Sequence, residues 1–380
     1  MELTCDRKSL LAAVEQAARV VPKTAVRPIL QCVLLDARAD GVELLATDLE
    51  VGLRLPVSGV NVIQPGTAAF PCAKLLAILR ECGSDAVCLE VLEDKPRICR
   101  IIAPPGGKFK VALDVAEDFP EIATLPEGAA SLDGATFAEM VKKTAFASHQ
   151  GQHRYALNGV LVNMEGDTAL LVATDGTRLA EMRRPLGGQC GVPDPGEGDM
   201  KPHPVCSIKG LDTIVKLLEG GGEPTLAFAF RENGFIAQTQ NGTVIARLIE
   251  GHFPDYVHLL PRYPPERTAT VPVADFASAV KRAAIGLGRD CHWLAGRLTN
   301  GTLHLHGEGE SGQEADAEIA VEYAGEDIAF TLADDHMSEY LAAAKGYERV
   351  EMGVGTPREA ITFHPVGDKG YVYVSMQKGD

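Results

Sequence analysis

The sequence is short of most features that mark a membrane, secreted or metal-bound protein. None of its apolar runs approaches the ~18 residues needed to cross a bilayer. The opening MELTCDRK has no apolar signal core. A cytoplasmic protein without a membrane partner is therefore expected. Aromatic residues are only 6% of the chain, with a single tryptophan. The nine cysteines (Cys5, Cys32, Cys72, Cys82, Cys88, Cys99, Cys190, Cys206 and Cys291) are scattered, odd in number and contain no CxxC. That spacing argues against a structural zinc or a disulfide framework and for buried free thiols. GxSxG, HExxH and P-loop signatures are all missing, so no catalytic residue, metal ligand or cofactor is assigned. Positive charge is also scarce. Lys and Arg total 36 against 52 Asp and Glu, a formal charge of −16 that at first argues against nucleic acid.

What the chain has instead is a repeat. LTCDRKSLLAAVEQAA (3–18), SLDGATFAEMVKKTA (131–145) and TVPVADFASAVKRAA (270–284) each read as a short strand, a polar break and a helix. Aligning them matches Leu10 with Phe137 and Phe276, and Val14 with Val141 and Val280. A second helix follows in AKLLAILREC (73–82), KGLDTIVKLLEGG (209–221) and DDHMSEYLAAAKG (334–346). The closing segments FPEIATLP (119–126) and FPDYVHLLP (253–261) repeat as well. At 380 residues the chain exceeds one ordinary core. Three α+β domains are expected, 1–127, 128–262 and 263–380, each with two helices on antiparallel sheet. The Pro- and Gly-rich stretch 193–204 reads as a long loop within the second.

Two turns invite a catalytic reading. LLATDLEVGLR (44–54) and LLVATDGTRLAEMR (170–183) each place an Asp, Asp48 or Asp175, after an apolar strand and before a return strand. Asp-Gly between strands is a hairpin signal, and an Asp carboxylate can accept the N–H groups of its own turn. A carboxylate pair drawn from equivalent turns of different domains would not converge, so the turn reading is preferred. GEGESG (307–312) fits GxGxxG, but the alternating EADAEIAVEY that follows reads as a strand rather than a phosphate-binding helix. His304 and His306 share one strand face without a third ligand near in sequence. A metal-dependent hydrolase using Asp48, Asp175 and these histidines is one alternative function, and a monomeric interaction scaffold is another.

The charge is unevenly placed. Over predicted helices 6–20, 73–82, 134–147, 208–219, 274–285 and 334–345, twelve basic residues meet ten acidic ones, leaving −18 for the rest. Lys142, Lys143, Lys281 and Arg282 lie opposite the apolar stripe. The charge fits either solvated helix faces or helices that share one compartment able to accept phosphate.

LNG (157–159), VATDGTRLA (172–180), GHFPDY (251–256), RPIL (27–30) and YVYVSM (371–376), set in a three-unit chain, resemble the bacterial sliding clamps, the β subunit of DNA polymerase III. The resemblance runs through the whole chain. It implies a processivity factor: a head-to-tail homodimeric ring around duplex DNA, tethering a replicative polymerase subunit, the clamp loader, and repair and translesion polymerases. Twelve helices at about 10 Å spacing would leave a hole of roughly 25–30 Å, wide enough for a hydrated duplex. Retention by topology would not require strong phosphate neutralisation, which reconciles DNA with the acidic total.

By match to the family, an apolar peptide-motif pocket between the second and third domains is expected at Leu157, Thr174, Gly176, Thr177, Arg178, Leu179, Pro254, His258, Leu259, Val374 and Met376. Lys23, Arg27, Lys74, Arg80, Lys142, Lys143, Gln150, Arg154, Tyr155, Lys209, Lys216, Lys281 and Arg282 are expected to face DNA. Phe109 and Val111 are expected to meet Ile285 at the dimer interface. The chain departs from the family in its SMQKGD ending, in Thr177 and His258 where His and Arg are frequent, and in His336 where an aromatic is frequent.

Overall fold

A computed structural model describes residues 1–92, 97–149, 151, 156–186, 204–221, 225–231, 233–257, 260–261, 264–288, 291–356 and 359–378. It contains six α-helices and sheets whose ladders are all antiparallel, an α+β architecture. The helices are α1 (Arg7–Ala17), α2 (Cys72–Glu81), α3 (Gly134–Thr144), α4 (Ile208–Leu218), α5 (Val273–Ala284) and α6 (Asp334–Ala343).

Local chemistry accounts for where α1 begins. Asp6 caps α1, its Oδ1 accepting from Ser9 N at 2.7 Å. The aligned apolar positions then turn inward in every copy. Leu10, Phe137 and Phe276, and Val14, Val141 and Val280, are each at most 1% exposed. Full burial of one such side chain contributes about 1.5–3 kcal/mol.

Among the described residues the chain forms two compact units: 1–134 with 209–248, and 135–186 with 204–208 and 249–378. The first holds a five-stranded sheet in the order Val60–Gln64, Glu2–Asp6, Ala86–Leu92, Ile98–Ala103, Gly107–Ala112. Its eight-stranded sheet runs Ala130–Asp133, Thr225–Arg231, Gly234–Thr239, Gly242–Arg247, Val51–Pro56, Gly41–Thr47, Cys32–Arg38, Gly66–Pro71.

The second unit holds an eight-stranded sheet in the order Val205–Ser207, Gly159–Glu165, Thr168–Thr174, Arg178–Pro185, Tyr371–Ser375, Ile361–Pro365, Arg349–Gly353, Thr268–Pro272. A four-stranded sheet completes it, ordered Glu314–Ala320, Thr302–Glu308, Trp293–Thr299, Ile328–Ala333. The units thus cut through the middle repeat. Each eight-stranded sheet joins strands of two repeats, through Gly242–Arg247 on Val51–Pro56 and through Arg178–Pro185 on Tyr371–Ser375.

The core of the second unit is aromatic. Tyr340 of α6 stacks on Tyr373 with ring centroids 4.4 Å apart, and Phe363, Phe276 and Tyr371 close around them. GEGESG connects the paired strands Thr302–Glu308 and Glu314–Ala320, a hairpin rather than a dinucleotide loop.

Candidate peptide-binding site

The site is built on the hairpin Thr168–Thr174/Arg178–Pro185, whose last pair is Thr174 with Leu179. Gly176 adopts φ +94°, which favours a residue without a side chain. Asp175 ties the turn together. Its Oδ1 accepts from Thr177 N (2.8 Å), Thr177 Oγ1 (2.7 Å) and Arg178 N (3.0 Å), and its Oδ2 from Arg178 Nε (2.9 Å). Burial alone would raise this carboxyl, but the Thr177 hydrogen bonds and the Arg178 charge hold it below the usual carboxylate range. Thr174 Oγ1 donates to Arg178 O at 2.5 Å and accepts from Gly176 N at 3.1 Å.

The two faces of this sheet do different things. Arg178, 9% exposed, donates Nη2 to Phe146 O at 2.9 Å and pairs through Nη1 with Glu339 of α6. It anchors the turn to the helical side and does not line the apolar face. Leu179 and Val374, directly paired, face the other way. They join a buried cluster with Ala156, Leu161, Leu170, Val172, Phe253 and Tyr256, and Ile249, Leu260 and Val372 pack against it. Leu157 and Thr174 are buried and Pro254 is half-buried. Met376 is 40% exposed and Val257 57%, an apolar rim beside a buried floor. Met376 N donates to Thr177 O at 2.8 Å, which fixes the carboxyl-terminal strand beside the turn. His258 and Leu259 lie outside the described residues.

Asp48 does the same work in the first unit. Its Oδ1 accepts from Glu50 N (2.9 Å) and Val51 N (2.7 Å), and its Oδ2 pairs with Lys209, whose Nζ also donates to Val20 O at 3.1 Å. Leu49 takes φ +78° where the second unit has Gly176. Each Asp is spent on its own turn, as expected from the sequence. His304 and His306 pair with Glu318 and Asp316, both at 2.9 Å. Among the described residues no group of three or more His, Cys, Asp or Glu side chains could hold a metal.

The basic positions fall into two sets. Lys23, Arg27, Lys74, Lys142, Lys216, Lys281 and Arg282 are exposed, and Arg27 Nη2 reaches Asp118 O at 3.3 Å. Arg80, also exposed, Lys143 and Lys209 are held by carboxylates. Arg80 pairs with Glu15 at 2.8 Å, and Lys209 is held as described. Lys143 donates to Glu139 at 2.6 Å and to the Tyr347 hydroxyl at 2.7 Å, its ammonium 3.9 Å from that ring's centroid. Tyr347 is 204 residues away in sequence, so no local pattern announces the contact. Gln150, Arg154 and Tyr155 lie outside the described residues.

Of the three positions expected at a dimer interface, Phe109 and Val111 sit on the edge strand Gly107–Ala112. Val111 is buried and Phe109 half-buried. Ile285, just past α5, is 78% exposed beside a shallow groove lined by Ala274, Ala277, Ser278, Lys281 and Arg282. Sequence reasoning gave no role to Glu181, a buried carboxylate on the face that carries Leu179.

Helix-bearing repeats whose sheets run through from one repeat to the next define a clamp-type α+β fold. Residues 1–123 match the DNA polymerase III beta subunit N-terminal domain, and 131–255 match its central domain. The beta sliding clamps of Pseudomonas aeruginosa and Escherichia coli K12 are 27% and 26% identical, each over 99% of both chains. Among solved structures, the Pseudomonas aeruginosa DNA polymerase III subunit beta superposes with a TM-score of 0.89 at 26% identity, covering 100% of both chains. The Caulobacter crescentus beta sliding clamp gives 0.90 at 25% identity, over 100% of this chain and 99% of that one. The chain belongs to the family of bacterial DNA polymerase III beta subunits, the beta sliding clamps.

Proposed function

We propose that this protein is a DNA polymerase processivity factor that acts without catalysis or cofactor. Two chains close head to tail around duplex DNA in the cytoplasm and slide on it. The observation that carries the reading is a strand joint made twice and left open once. In the chain, Val51–Pro56 pairs with Gly242–Arg247, and Arg178–Pro185 pairs with Tyr371–Ser375. By position in the repeat, the third pair would be Glu314–Ala320 with Gly107–Ala112. Each is one of the two edge strands of its sheet, the first four-stranded and the second five-stranded. Exposed strand edges are templates for further pairing, and a head-to-tail contact between copies closes a ring when its rotation closes. Three domains, 1–127, 128–262 and 263–380, give each chain three of the six repeats. Phe109 and Val111 lie on one strand of the joint, and Ile285 would stand beside it.

Exposed Lys23, Arg27, Lys74, Lys142, Lys216, Lys281 and Arg282 would face the duplex, together with Gln150, Arg154 and Tyr155. Arg80, Lys143 and Lys209 stand against Glu15, Glu139 and Asp48, whose carboxylates would offset part of their charge. Weak phosphate contacts suit a sliding ring held by topology. The apolar floor at Leu179 and Val374, with Leu157, Thr174, Gly176, Thr177, Pro254, His258, Leu259 and Met376, would take Leu or Phe anchors of peptide motifs, while Arg178 would hold the turn from the other face. Such motifs would come from the replicative polymerase, the clamp loader, and repair and translesion polymerases. The test is primer extension on a singly primed single-stranded circle by the cognate polymerase and clamp loader. Addition of this protein should lengthen the products of a single binding event at least severalfold. Unchanged product length would overturn the proposal.

A further inference from the structure

Glu181 lies two residues along the strand from Leu179, so both side chains leave the same face of the sheet. Leu179 pairs with Thr174 and Val374, and Glu181 pairs with Val172 and Val372. Three of these neighbours, Val172, Val372 and Val374, belong to or pack on the apolar cluster with Phe253 and Tyr256. A valine would suit that setting, yet a carboxylate stands there with its side chain 8% exposed. Its Oε1 accepts from Arg183 Nε at 2.7 Å, on the side away from Leu179. Its Oε2 is buried and has no hydrogen-bond partner among the described residues. Buried acceptors are almost always satisfied, and a carboxylate oxygen most of all.

The first unit shows what this register position can do. Gly52 faces Ile245 as Leu179 faces Val374, and Arg54 faces Thr243 as Glu181 faces Val372. Arg54 donates Nη1 to the main-chain oxygen of Ile122 at 3.0 Å. Ile122 itself fills the space over Gly52. There the position grips the backbone of the segment lying over the sheet. In the second unit the hydrogen-bonding sense is reversed, an acceptor in place of a donor, and the closing segment packs Phe253 and Tyr256 into the cluster that holds Leu179.

We infer that Glu181 is a specificity-determining residue of the apolar site, its Oε2 accepting an N–H from a bound peptide whose Leu or Phe anchor rests on Leu179 and Val374. The inference rests on the peptide-binding reading proposed above. Two residues of strand span about 7 Å, so the donor stands that far from the anchor. A Gln, Asn or Lys side chain one or two positions from the anchor can reach it.

The test uses the full-length protein, as wild type, Glu181→Val and Glu181→Gln. Fluorescence polarisation is read with nine-residue peptides carrying a central Leu-Phe. Every other position is Ala, Leu, Gln or Lys in turn. In wild type one position should favour Gln and Lys over Leu by about tenfold, the scale of a hydrogen bond to a charged acceptor. Glu181→Val should abolish that preference and retain binding through the anchor. Glu181→Gln should keep the Gln preference and reduce that for Lys. Anchor-dependent binding with the same preference in wild type and Glu181→Val overturns the role of Glu181 alone, as does the absence of any donor preference. Failure of every peptide to bind wild type overturns the peptide site as well. Glu181→Val should melt no lower than wild type, which separates a recognition role from a structural one.

Discussion

Ile122 lies directly over Gly52, its Cγ2 3.1 Å from where a β-carbon at that glycine would stand. The matching place in the second unit carries Leu179 and belongs to the candidate site. One sheet position thus carries no side chain and is filled by Ile122 in one copy, and carries Leu179, packed in a cluster with Phe253 and Tyr256, in the other. Gly52→Leu should force Ile122 away and cost about 1–3 kcal/mol, the usual penalty of overpacking. Equilibrium urea unfolding measures it, and an unchanged midpoint would contradict the packing.

Arg178 holds the second turn from beneath. Removing one partner of a buried ion pair leaves an uncompensated charge, so Arg178→Ala should cost about 3 kcal/mol, the low end for such pairs because Asp175 keeps some exposure. Arg178→Lys retains charge but not the forked contacts to Asp175, Glu339 and Phe146, and should cost less. Both should weaken peptide binding through loss of turn order. The comparison is made by urea unfolding and peptide titration on the same preparations.

Two histidines of the second unit should respond to pH in opposite directions. Burial pushes His364 below the ordinary histidine range, although Glu351 opposes this. Its folded pKa is depressed, so the stability it gives is present above about pH 6.5 and is lost as pH falls toward its folded value. His306 is raised by its hydrogen bond to Asp316, so its contribution is complete below about pH 6.5 and is lost as pH rises through its folded value. Relative to wild type, His364→Phe should gain stability between pH 7 and 5. His306→Ala should lose more stability at pH 5.5 than at pH 8, by a fraction of a kcal/mol because the pair is exposed. Thermal melts across that range read both, and parallel profiles would contradict the assignment.

The Tyr340 hydroxyl is buried without a hydrogen-bond partner among the described residues, while its ring stacks on Tyr373. Tyr340→Phe should therefore leave stability unchanged or raise it by about 1 kcal/mol. Tyr340→Ala should cost about 3–5 kcal/mol through the cavity it leaves. A large loss in Tyr340→Phe would mean that the hydroxyl has a partner, most simply an ordered water.

Much of the fold was legible because its signals are local. The helix repeat could be aligned at Leu10, Phe137 and Phe276 since 3.6-residue periodicity writes each buried stripe into a single segment. The two Asp turns were readable for the same reason, as each carboxylate bonds groups two and three residues on. The site's apolar floor was reached only through family resemblance. The pairing of Leu179 with Val374 joins positions nearly two hundred residues apart, and no local pattern encodes it. Lys143 shows the same limit. Helical spacing points it to solvent, but its side chain is only 13% exposed, held by the ring and hydroxyl of Tyr347 from the far end of the chain. Glu181 escaped notice because an alternating strand with a carboxylate reads as solvent-facing, whereas here it is buried on the face that carries Leu179 and Val374.

The central claim is topological retention on DNA, and the direct measurement compares circular with linearised plasmid. The protein is loaded on each by its clamp loader, salt is raised to screen phosphate contacts, and bound protein is counted after gel filtration. The account predicts that protein stays on the circle and is lost from the linear form. Equal loss from both would show ordinary electrostatic binding and contradict the ring.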